Sequence, residues 1–185
     1  MRFVLKSVGL LVVALFVAVI GYPILHEFGH SIAAVLVGAK LIEFNLLPLP
    51  YVVLDVREVN VNKQAIIGLS GVMFPLGLVT FVKTRKFWIW YTTFLVKGIS
   101  LYAIMVSLIC AILYVNGIGI EMEDFVQVLK FYPNNECLCI VLLSSVLVYV
   151  MFVIKKEKPL SRCLNYFEVN NNASGRLFDK GRDGL

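Results

Sequence analysis

Residues 8–30 read VGLLVVALFVAVIGYPILHEFGH, and the change of character within this stretch decides the architecture. Residues 8–20 carry no charge and no polar side chain. The hydrophobic stretch runs on from Phe3 to Ala39, broken by Gly21, Pro23 and the triplet His26, Glu27, His30. As one straight helix it would be about 55 Å long, well beyond a bilayer core of about 30 Å. The sequence therefore predicts a kink at Gly21–Pro23, or two short helices meeting there.

Three more stretches, 65–82, 98–120 and 137–154, are uncharged and mostly apolar. Their length is that of a helix crossing a bilayer. Over all 185 residues, 59% are hydrophobic and 16% charged, with a mean hydropathy of +0.86. An ordinary soluble domain is about half apolar and about a quarter charged. The expected fold is an all-α integral membrane protein with about four transmembrane helices. Five or six would result if the first stretch splits at Pro23 and the third breaks at Lys97. This composition excludes a water-soluble enzyme, a nucleic-acid-binding module and a secreted disulfide scaffold. The net charge of +5 lies at the ends of the apolar runs, where basic residues set membrane orientation. Cys110, Cys137, Cys139 and Cys163 show no CxxC spacing, which argues against a disulfide framework or a thiolate zinc site. No small-residue cleavage site follows Ile20, so the first stretch reads as retained rather than as a signal peptide.

Between the first two spans, Pro48 and Pro50 resist helix. Residues 52–62 then alternate apolar and polar with a phase slip near Arg57–Glu58, so a short β-like segment is expected at 50–62, as a strand pair or a bulged strand. Phe87, Trp88, Trp90 and Tyr91 resemble an interfacial aromatic belt. Lys97 either snorkels or marks a break between two shorter helices. Residues 1–154 are expected to form the membrane-embedded domain and 155–185 a polar, disordered cytoplasmic tail. Four spans put Arg2 and Lys6, the basic 83–86 connection and the tail on one side. The acidic 117–136 connection falls on the other, so both termini are expected in the cytoplasm of a multi-pass protein.

The chain has two histidines, and both lie in His26-Glu27-Phe28-Gly29-His30. By chance an HExxH match arises in about one chain of this composition per thousand. On a helix, positions i and i+4 share a face, so both imidazoles can grip one metal ion. Glu27 is turned around the helix, placed to reach a metal-bound water as its general base. Gly29 leaves room for another helix to approach. Three ionisable groups in an apolar helix are expensive, and within a membrane such groups mark function. One zinc ion per chain is the expected cofactor. Catalytic zinc takes three protein ligands and a water, and no third histidine remains. The candidates are Glu43, Asp55, Glu121, Glu123 and Asp124. Asp124 is favoured because its connection and the motif's end of the first span share one membrane face, although an Asp there could equally be a helix N-cap.

Pro23-Ile24-Leu25-His26-Glu27-Phe28-Gly29-His30-Ser31-Ile32-Ala33-Ala34, followed by Gly38, resembles the metal-binding helix of the site-2 protease family of intramembrane zinc metalloproteases. Gly68-Leu69-Ser70-Gly71-Val72-Met73-Phe74-Pro75 is similar, less closely, to a small-residue segment on that family's next span. The resemblance covers about residues 20–130 and is specific at HEFGH. The family draws a further ligand from an Asp in a Leu-Asp-Gly or Asn-Pro-Asp-Gly context, and this chain has neither. Asp124, leading Asp-Phe-Val-Gln-Val-Leu-Lys, is similar to an Asp-led segment in small, divergent members. The resemblance implies a zinc metallopeptidase that hydrolyses peptide bonds in or near transmembrane segments of a membrane-protein substrate, with Glu27 activating the water. The 52–62 segment would hold the unwound substrate by edge pairing, or is an ordinary surface hairpin. The alternative is a catalytically inactive protease-like scaffold or a zinc-binding membrane protein. A zinc transporter would need polar residues on several spans, which 64–82 and 137–154 do not supply. Oligomeric state and substrate identity do not follow from the sequence. The expected partners are the lipid bilayer and a transmembrane protein, not nucleic acid.

Overall fold

A computed structural model describes residues 2–119 and 123–168. Helices α1 (Arg2–Phe16) and α2 (Tyr22–Val37) are joined by a single π-helical turn, Val17–Gly21. The interruption expected at Gly21–Pro23 takes this form instead of a break: helical dihedrals continue through Phe16, Gly21 and Tyr22. The Tyr22 amide donates to the Val17 carbonyl, five residues back. Pro23, which has no amide hydrogen, then falls in the first turn of α2, where a missing donor matters least. Gly38 closes α2 in the left-handed region at φ 87°, its amide reaching the Ala34 and Val35 carbonyls.

The chain continues as an antiparallel hairpin of β1 (Lys40–Asn45) and β2 (Tyr51–Asp55), with Lys40 opposite Asp55 and Asn45 opposite Tyr51. The β segment expected at 50–62 is therefore shorter and begins its pairing earlier. The irregularity lies in β1, between Leu41 and Glu43, rather than at Arg57–Glu58. Strand β2 stops where the Asp55 side chain accepts the Arg57 amide at 3.2 Å and turns the chain. The Asn60 side chain then accepts the Lys63 amide at 3.0 Å and starts α3 (Val61–Thr80).

Helix α4 (Phe87–Val115) runs unbroken through Lys97, which neither snorkels nor marks a break. That side chain is 2% exposed and ion-paired with Glu157. A short helix, α5 (Asp124–Phe131), precedes α6 (Glu136–Lys156). The tail expected to be disordered from 155 is helical over 159–168, with Tyr166 stacked on Phe87 at 3.8 Å between ring centres. Residues 169–185 lie outside the described residues.

Among the described residues, four helices are long and apolar enough to cross a membrane: Val4–Val37, Val61–Thr80, Phe87–Val115 and Glu136–Glu168. The main core joins α3, α4, α5 and α6 through residues such as Leu76, Ile104, Leu129 and Val150. A second cluster, with Ala33, Ala34, Val59 and Ile67, seals α2 and the hairpin segment against α3. A third, Val17, Tyr22, Val79 and Val96, packs the π turn against α3 and α4. Large side chains such as Leu11, Phe16, Val148 and Phe152 remain exposed on the outer faces of α1 and α6.

Candidate metal centre

Helices α2 and α3 touch almost backbone to backbone. A Cβ added at Gly29 would collide with the Ser70 carbonyl and come within 2.9 Å of the Phe74 Cβ. One turn along, a Cβ at Gly71 would reach within 2.7 Å of His26 Nε2 and closer still to His30 Nε2. Two glycines on facing helices thus open the space that the two imidazoles occupy, as small residues do in closely packed membrane helices. Helix α5 brings the third group. Its N-cap is Glu123, whose carboxylate accepts the Val126 amide at 2.9 Å and a hydrogen bond from the Ser107 hydroxyl. Asp124 is therefore not the cap, and its side chain turns toward α2.

Asp124 Oδ2 lies 3.1 Å from His26 Nε2 and 3.3 Å from His30 Nε2, and the two Nε2 atoms are 3.1 Å apart. Nδ1 of buried His30 donates to the Ile67 carbonyl at 2.7 Å, fixing the ring with Nε2 turned toward His26 and Asp124. Burial alone would push the Asp124 carboxyl up, but the hydrogen bonds and charge of His26 and His30 hold it well below the usual carboxylate range. The aspartate is thus an anion beside two nitrogens. Ligands about 2.0–2.1 Å from a tetrahedral zinc would be separated by about 3.3 Å. The three donor atoms already have nearly that spacing, and two imidazoles with a carboxylate are a zinc-type donor set. The residues fit the ion.

Glu27 and His30 share a cleft of about 370 Å³ with Asp124, Val52 and Gln127. The Glu27 carboxylate faces the backbone of Val52 in β2. On the other side, His26 and Asp124 border a second cavity, also of about 370 Å³, lined by apolar side chains such as Leu69, Met73 and Ile104. The centre lies deep along α3. At 1.5 Å per residue, Ile67 is about 9 Å and Gly71 about 15 Å from its first residue, in a helix about 30 Å long.

The other carboxylates weighed from sequence are elsewhere. Glu43 accepts the Tyr51 hydroxyl on the exposed face of the hairpin, at 2.6 Å. Asp55 pairs with the Arg57 guanidinium at 2.6 Å, and that partner holds its carboxyl well below the usual range. Glu123 caps α5, and Glu121 lies outside the described residues. Among the described residues, His26, His30 and Asp124 are the three brought together. The sequence reading missed Gly71 and the Ile67 carbonyl as parts of the centre. Ser70 and Gly71 stood in a recognisable small-residue segment, whereas a backbone carbonyl leaves no mark in sequence. Compared with protein-family models, curated proteins and solved structures, the chain matches none.

Proposed function

We propose that this chain is a multi-pass membrane zinc metallopeptidase that hydrolyses peptide bonds in or near transmembrane segments of its substrates. The convergence of His26, His30 and Asp124 at the spacing of tetrahedral ligands, with Glu27 on the adjoining cleft, carries this reading. His26, His30 and Asp124 would hold one zinc ion per chain. Bound there, zinc would polarise the scissile carbonyl and acidify a water molecule.

The protein's own groups do the rest. Glu27 takes the proton of the attacking water and delivers it to the leaving amine. The Ile67 carbonyl orients His30. Strand β2 pairs with β1 alone among the described strands, which leaves one edge for an extended peptide, and Glu27 faces that strand at Val52. An unwound substrate segment added there would lie beside the catalytic carboxylate. The depth of the centre along α3 suits a substrate that is itself within the bilayer. Lys6 sits 5.3 Å over the Tyr166 ring, which gathers the start of α1, the start of α4 and the end of the chain's last helix at one end of the bundle. The basic 83–86 connection joins this end too, which favours a cytoplasmic position for both termini.

The deciding experiment measures zinc per chain in the purified protein and cleavage of a reporter transmembrane peptide, in the parent chain and in Glu27→Gln. One zinc in both, with cleavage in the parent alone, is the expected result. Zinc without cleavage in the parent would turn the reading to a zinc-binding scaffold. No zinc in metal-replete medium would end it.

A further inference from the structure

At the end of the bundle that carries the basic connections, a cleft of about 690 Å³ opens between the α3–α4 connection and the last helix. Lys83 and Arg85 line it from the connection, and Lys156 and Arg162 from the other wall. None of these four cations has a carboxylate within ion-pair distance among the described residues. The one acidic residue in the lining, Glu157, is already committed: Lys97 pairs with one oxygen and the Trp90 indole donates to the other at 3.0 Å. Among the described residues, the cleft therefore carries four positive charges without a paired carboxylate.

Its shape adds chemistry to the charge. Arg162 stacks over the Trp90 ring at 5.3 Å, a cation–π contact that steadies the guanidinium and leaves its N–H edge available. Tyr149 and Phe152 continue the lining onto the exposed apolar face of α6. Cations grouped around a cavity call for an anion with several oxygens, and phosphate matches both the Arg fork and the point charge of Lys. Basic pockets between helices at the membrane interface are suited to anionic headgroups. We propose that this cleft binds a phosphate-bearing anion, delivered either as a phospholipid headgroup or as soluble phosphate. The site is separate from the metal centre, so its failure would leave the peptidase reading untouched.

Calorimetric titration of the full chain in neutral detergent tests it with three probes: dihexanoylphosphatidylglycerol, dihexanoylphosphatidylcholine and inorganic phosphate. The glycerol lipid should bind at least about tenfold more tightly than the choline lipid. Lys83→Gln/Arg85→Gln and Lys156→Gln/Arg162→Gln, one pair from each wall, should each weaken that binding by about tenfold or more. Helical circular dichroism and zinc content should stay at parent values. Inorganic phosphate binding with the same dependence on both pairs would identify soluble phosphate as the source. Equal binding of the two lipids, binding insensitive to both pairs, or binding of neither anion would overturn the proposal. The lipid comparison on the parent chain decides even if a variant fails to fold.

Discussion

Glu123 and Asp124 are adjacent carboxylates with different work: the first ends the backbone of α5 properly, and the second is thereby free to face His26 and His30. Asp124→Ala should therefore abolish stoichiometric zinc, read by metal analysis after dialysis, with helical circular dichroism retained. Glu27→Gln should keep its zinc and lose about a thousandfold in cleavage rate, because it removes a proton acceptor and no ligand. At Gly71 the expected defect is steric. A methyl group there would overlap both imidazoles, so Gly71→Ala should lower zinc affinity by about tenfold or more in a competitive chelator titration.

At the scale of elements, the spacing of His26 and His30 made their shared face of α2 legible, because helical periodicity fixes which side chains lie together. The apolar runs likewise marked all four long helices. The sequence said less where the outcome depended on a partner remote in the chain. Lys97 looked like a disturbance within α4, yet its charge is met by Glu157, 60 residues further on. The strand pairing also began earlier than the alternating pattern indicated, because β1 (Lys40–Asn45) is largely exposed and carries no clear alternation. Burial of Lys97 makes its pairing consequential. Glu157→Ala should lower stability by about 3–5 kcal/mol, since it strands a buried cation. Lys97→Met combined with Glu157→Leu should recover most of that loss, measured by thermal unfolding in detergent. If the double variant is as unstable as the single one, the pair acts through something other than its charge.

For the whole molecule, the orientation reading makes a prediction about accessibility. In sealed vesicles, single-cysteine reporters at Ser7 and Lys158, introduced into a chain lacking its native cysteines, should react with an impermeant maleimide from the same side. A reporter at Leu47, on the exposed hairpin loop, should react from the opposite side. Reaction of Ser7 and Leu47 from one side would rule out an uninterrupted first crossing. The π turn at Val17–Gly21 bears on that crossing in another way. It accommodates one residue more than a regular helical turn. Removing Ala18 would take out that surplus and let the rod relax into uniform α-helix with its two halves in the same phase, whereas an alanine inserted outside the turn would rotate one half against the other by about 100°. With that insertion, either the exposed apolar stripe of α1 would rotate inward or His26 and His30 would swing away from Asp124. The wide turn thus works as a slip joint, absorbing one residue while α1 and the half that carries His26 and His30 stay in angular register.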